Sequence, residues 1–262
     1  MAVPRNAATI LVLCQPVAST AFKVLMIKRH SKARFMANVY VFPGGCVDEA
    51  DTKVAQDNLP ADITLPSYRA AATRELLEET SLLLNEDGSV STAANDSKPN
   101  VAPSKAFVPY AHWVTPKQEK YRYDTRFFLH KVQPEAISLQ LKPDPKEVAD
   151  IRWVTPDEAI ELHSTANSNF RLPPPTFLLM HHLSTFENVD DLVAKYSQLY
   201  QLRVDDMPRV EPVIDLSKKP HHVYMEKDWC HLPPGTMDMG ATVMHIGKGL
   251  PEMPPYKETS KL

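Results

Sequence analysis

Glycine is scarce in this chain, with 7 residues among 262 against 24 prolines. That balance excludes a glycine-rich linker or a fibrous repeat and points to irregular, well-pinned backbone, especially after position 170. Cysteine is scarcer still. Cys14, Cys46 and Cys230 have neither metal nor redox spacing, and their odd number argues against a disulfide scaffold, so a reducing intracellular compartment is expected. No run approaches the ~18 apolar residues of a membrane span, and the N-terminus has no signal-peptide apolar stretch. Positive charge is not in excess either. The net charge is −3 and the Lys and Arg residues are scattered, which leaves no electrostatic footprint for nucleic acid. Leu, Ile, Val and Phe suffice for a real core, in one large domain or one domain with additions.

The chemistry concentrates at Arg74-Glu75-Leu76-Leu77-Glu78-Glu79. A helix is expected from about Tyr68 to Leu84, with Ser67 as its N-cap. On it Glu75, Glu78 and Glu79 fall at i, i+3 and i+4 and share one face, with Arg74 beside Glu78. Ala70, Ala72, Thr73, Leu76, Leu77, Thr80, Leu83 and Leu84 form an apolar arc that can bury against a sheet. Three clustered carboxylates repel one another in water, and hard divalent cations relieve that cost by taking carboxylate oxygens. Upstream, a short strand from Val39 to Phe42 enters Pro43-Gly44-Gly45, where two glycines let a ligand or ion approach the main chain. A merely solvated acidic face would not call for such a turn.

Around these motifs the pattern is α/β. Ala8 to Cys14, Phe22 to Ile27, Phe107 to Thr115, Tyr123 to Lys131 and Ile151 to Val154 read as strands. Residues 46–66 read as an extended polar loop and 85–106 as a polar surface excursion. Thr155-Pro156-Asp157-Glu158 opens a short helix, Pro175 to Phe186 forms a second and Val189 to Leu202 a third. A domain over 1–204 is expected, followed by a Pro-rich segment, 205–262, of short strands and turns without a core of its own. The final tripeptide Ser260-Lys261-Leu262 matches the peroxisomal address, so an import receptor and a peroxisomal location are expected.

Pro-Gly-Gly followed by Arg-Glu-Leu-Leu-Glu-Glu-Thr-Ser resembles the signature of the Nudix hydrolases. Gly45 starts the signature, Asp51 stands where its first Glu is usual, and Arg74, Glu75, Leu76, Glu78, Glu79 and Leu82 match its second half. Ser81 replaces a glycine, and 22 residues separate Asp51 from Arg74 where seven are usual. Loop closure grows costly only slowly with length, so such an insertion need not disable the helix. Arg29, Arg34 and Phe42, with Asn38 where glycine is usual, are similar to the motif that precedes the signature in coenzyme A diphosphatases. His112-Trp113-Val114-Thr115-Pro116 and Tyr123-Asp124-Thr125-Arg126-Phe127-Phe128 also resemble the peroxisomal branch of that group.

The resemblance implies a Nudix-type α/β/α sandwich with a mixed central sheet, an insertion inside the signature and a C-terminal extension. It implies Mg²⁺ or Mn²⁺ held by Glu75, Glu78, Glu79 and the Gly44 carbonyl, with Arg74 steering the glutamates. Glu147 is the first choice for a general base, with Glu119 and Asp144 behind it and a helix glutamate, Glu78 or Glu79, as the alternative. Arg29 and Arg34, with Lys32, would meet phosphate, and Phe42 and Gly45 would line the substrate site. Tyr110, Trp113 and Phe128 read as core. The implied reaction splits coenzyme A or acyl-coenzyme A into 3′,5′-ADP and a 4′-phosphopantetheine. NADH or ADP-ribose is the alternative substrate, and a catalytically silent nucleotide or acyl-coenzyme A binder the alternative of another class.

Overall fold

The computed structural model describes residues 2–17, 19–93, 102–200 and 207–215, with backbone alone at 213, 215 and three later strands. Ser260, Lys261 and Leu262 lie outside the described residues, as does Cys230.

Strand β1 (Arg5–Cys14) is followed by β2 (Lys23–Arg29), β3 (Tyr40–Val41) and β4 (Gly44–Cys46). Helices α1 (Glu49–Asn58) and α2 (Pro66–Thr80) come next, then β5 (Leu82–Leu84) and β6 (Val90–Thr92). The chain continues through β7 (Val108–Val114), β8 (Tyr123–Val132), β9 (Val148–Val154), α3 (Pro156–Ser164), α4 (Pro174–Leu183) and α5 (Val189–Tyr200). Beyond these lie β10 (Arg209–Val210), β11 (Val213–Asp215), β12 (His221–Met225), β13 (Gly235–Asp238) and β14 (Thr242–Ile246).

The main sheet is mixed. Its order is β10-β7-β8-β1-β2-β3, with β4 also pairing β1 and β9 also pairing β2. Strand β1 runs parallel to β8 along its whole length and antiparallel to β4 and β2 on its other side. Period-two alternation then sorts β1 onto two faces. Ala8, Ile10, Val12 and Cys14 join Ala71, Ala72 and Leu76 of α2 in one core. Leu11 and Leu13 join Leu178, Leu179 and Leu183 of α4 and Leu192 of α5 in the other. Helices therefore cover both faces of one sheet, as expected.

Several boundaries differ from the sequence expectation, each for a local reason. Residues 46–66 are not an extended loop: they contain α1, whose N-cap Asp48 exchanges hydrogen bonds with Asp51 in a capping box. Helix α2 begins at Pro66 behind Leu65, not at Tyr68 behind Ser67, and it stops at Thr80 rather than Leu84. Ser81 sits in the left-handed region at φ 60°, which turns the chain into β5. Asn38 also has φ 60°. Both positions where glycine is usual in the resembled motifs thus need the backbone that glycine adopts most cheaply. Strand β9 starts at Val148, three residues before the expected Ile151. The segment after 204 is not merely appended, since β10 extends the main sheet beside β7; β11, β12, β14 and β13 form a separate four-stranded sheet.

One buried cation holds the frame of α2. Arg69 is 3% exposed, donates to the carbonyls of Thr64, Lys105 and Phe107 at 2.7, 3.2 and 2.6 Å, and lies over the Phe128 ring. Burial lowers its pKa to about 10. Arg69→Met should destabilise the fold by about 3 kcal/mol, because those carbonyls lose their donors in a dry environment. Urea unfolding measures this, and a loss below about 1 kcal/mol would show that water or a neighbour replaces the guanidinium.

Candidate active site

Helix α2 lies behind β1 and β4, and the two glycines of β4 let its carboxylates come forward. A Cβ on Gly45 would collide with the Glu75 carboxylate, and one on Gly44 would strike the Ala8 carbonyl and Thr9. Close approach on both sides is the physical reason for two glycines in a chain with so few. The Gly44 N–H donates to Glu79 Oε2 at 2.9 Å.

The three glutamates do not share one environment. Glu79 is 3% exposed and faces inward, Glu75 is mostly buried, and Glu78 is exposed and pulled outward by Arg74 Nη1 at 3.1 Å. The expected clean separation of acids from the apolar arc therefore fails at Glu79, which sits on the buried side of the helix. Burial raises the Glu79 carboxyl well above the usual carboxylate range, opposed by the Gly44 N–H and reinforced by Glu75 and Glu147. Burial also pushes Glu75 up, against the pull of Arg74.

Arg74 organises the other side. Its Nε and Nη2 bind both oxygens of Asp51 at 2.9 and 3.0 Å, Nη2 also donates to the Cys46 carbonyl, and Nη1 donates to Glu75 at 2.8 Å. Asp51, 2% exposed, further accepts from the Asp48 N–H. The inserted α1 thus delivers a buried acid to Arg74 across the 22 intervening residues. Arg74 does not line the cleft and meets it only through its hydrogen bond to Glu75, which does.

The cleft has a volume of about 500 Å³. Of the residues expected in the site, Arg29, Phe42, Gly44, Gly45, Glu75, Glu79 and Glu147 line it, and so does Glu119. Glu147 sits where its main-chain carbonyl accepts from the His30 N–H, which fixes the loop before β9. Arg29 Nε donates to the Phe35 carbonyl, and the Arg29 charge partly offsets that of Glu79. Arg34 and Glu78 are not among the lining residues, and Asp144 instead caps its own turn through the Lys146 N–H. Cys46 lines the cleft, but burial pushes its thiol up, which suits a packing role. Among the described residues no three acidic, His or Cys side chains converge to hold an ion between them. The donor set nonetheless fits a divalent cation, because burial and neighbouring carboxylates raise the proton affinity of Glu75 and Glu79, and the charges of Arg74 and Arg29 offset that only in part.

Sequence reasoning missed the opposite wall. Trp113, read as core, is 4% exposed yet lines the cleft together with Phe35, Met36, Pro174, Pro212 and Ile214. Its pairing across β8 and the docking of β10 could not be read from a local pattern.

A mixed sheet between helices, with inward glutamates at a Pro-Gly-Gly turn, defines a Nudix hydrolase. The chain belongs to that family: the NUDIX domain model matches residues 4–173. A putative nudix hydrolase 7 from Caenorhabditis elegans is 30% identical over 216 residues, covering 74% of this chain and 65% of the relative. The acyl-coenzyme A diphosphatase NUDT19 of Gallus gallus is 23% identical over 255 residues, covering 68% of this chain and 65% of the relative. The chain therefore spans less than two thirds of the length of either. The crystal structure of a NUDIX hydrolase from Alicyclobacillus acidocaldarius shares the fold, with a TM-score of 0.60 at 22% identity over 74% of this chain and 97% of that one.

Proposed function

We propose that the protein hydrolyses the pyrophosphate of coenzyme A and acyl-coenzyme A to 3′,5′-ADP and a 4′-phosphopantetheine. The observation that carries this reading is the buried pair Glu75 and Glu79 at the Gly44-Gly45 turn, opening on a cleft whose far wall is apolar. One end suits a diphosphate bound through cations and the other an uncharged thioester arm. The named relative that is an acyl-coenzyme A diphosphatase supports the choice of substrate.

Glu75, Glu79 and the Gly44 carbonyl would hold Mg²⁺ or Mn²⁺, with Glu78 joining them if it leaves Arg74. A cation there supplies charge neutralisation of the diphosphate and lowers the proton affinity of the attacking water. Arg29 meets phosphate oxygens through its planar guanidinium. Glu147, which lines the same cleft and feels the charge of Glu75 and Glu79, takes the proton from the attacking water as general base. Phe42 and Gly45 shape the floor beside the reacting phosphorus.

The test is a parallel incubation of the purified protein and Mg²⁺ with coenzyme A, NADH and ADP-ribose, with products identified by mass spectrometry. Coenzyme A should give the highest kcat/KM, by about tenfold or more. A preference for NADH or ADP-ribose would overturn the substrate while sparing the chemistry, and binding without turnover of any would overturn the enzyme reading.

A further inference from the structure

The segment carrying Pro212 and Ile214 lies beyond the residues that match the family model, yet both side chains line the cleft. Main-chain pairing fixes where they enter it. Cys46 pairs with Ala7, Ala7 with Thr125, Thr125 with Trp113, and Trp113 with Val210. This row crosses β4, β1, β8, β7 and β10, about 19 Å at the usual strand spacing of ~4.8 Å. Residues paired directly across a sheet point to the same face. The carboxylates therefore stand at the β4 end of the cleft, and Pro212 and Ile214 follow β10 at the opposite end.

Charge holds the segment down. Glu211, mostly buried, is bound by Arg122 at 2.5 Å and by Arg209 at 2.9 Å. Arg122 also donates to the carbonyls of Thr115 and Ala2, and is itself 8% exposed. His112 binds Asp124 at 2.6 Å, and Arg209 lies 4.0 Å from the same carboxylate. Breaking a buried pair on one side leaves an uncompensated charge, so this network favours a fixed wall over a loose tail. Between the anchored Glu211 and β11, Pro212 is buried, and Ile214 within β11 is half-buried. With Trp113, which lies in the same row beside β10, they line the apolar end of the cleft.

We propose that Pro212 and Ile214 receive the apolar end of the group attached to the diphosphate, an acyl tail, and so set selectivity for its length. This rests on the acyl-coenzyme A reading above. The distance across the sheet separates cleavage at one end from recognition at the other, so the compartment can discriminate tails without touching the reacting phosphorus.

The experiment compares wild type, Ile214→Asp and Ile214→Trp on free coenzyme A and on short-chain and long-chain acyl thioesters. Ile214→Asp places a charge against the tail, and Ile214→Trp fills the space it would occupy. Each should lower the ratio of kcat/KM for the long-chain thioester over that for free coenzyme A by about tenfold or more. The two act by different physics, so misfolding of one leaves the other decisive. An unchanged ratio in a folded variant, with wild type cleaving coenzyme A, overturns the role of this wall. Wild type that cleaves neither free nor acylated coenzyme A overturns the functional reading instead, and that failure appears in a different sample.

Discussion

Glu79→Gln should lower kcat by about a thousandfold, equivalent to about 4 kcal/mol of transition-state stabilisation, without weakening the fold. The glutamine carbonyl can still accept the Gly44 N–H that now bonds Glu79 Oε2 at 2.9 Å, so the turn stays closed. What disappears is charge at a site 3% exposed, where burial already pushes the carboxyl toward its neutral form. Without a counter-ion that charge opposes folding, so the variant should melt no earlier than wild type in chelator. Addition of Mn²⁺ should raise the melting temperature of wild type and leave the variant nearly unmoved, since only a ligand that binds the native state stabilises it. Steady-state kinetics together with paired melts decide the matter. Activity within about tenfold of wild type would remove Glu79 from the reaction.

Arg74→Lys should cost about a hundredfold in kcat with a smaller change in KM, because Arg74 acts through Glu75. A guanidinium fork binds both oxygens of Asp51 while still reaching Glu75, Glu78 and the Cys46 carbonyl. A lysine ammonium is a point charge and cannot hold that set at once. Hydrogen bonding to Asp51 leads the contributions that keep Arg74 firmly charged, against the cost of its partial burial. Asp51→Asn should therefore reproduce much of the loss, and the double variant should fall well short of the product of the single effects. If the two losses multiply, Asp51 and Arg74 serve separate purposes and their bidentate contact is incidental.

The helix that carries the glutamates, the glycine turn and both faces of the sheet were legible because each has a periodicity or a turn residue of its own. Helix α1 was not. Its sequence, EADTKVAQDN, buries only Asp51 and Ala55, so no apolar stripe announces it. A capping box and the Asp51–Arg74 pair define it instead, and the second of these depends on a residue far along the chain. The burial of Glu79 was also hidden, since a carboxylate among apolar neighbours reads as solvent-facing until the turn that caps it is in place. Arg34 has the right chemistry for phosphate but sits exposed, away from the cleft. The far wall escaped because Trp113, Pro212 and Ile214 meet only through strand pairings between distant segments.

The reach of α1 bears on how relatives of this chain are found. An acid that docks in space, carried on its own small helix, frees the intervening stretch to lengthen or shorten while the ion pair persists. Counting residues between the two halves of the signature would pass over chains built this way, whereas matching the buried carboxylate to its guanidinium in three dimensions would gather them in.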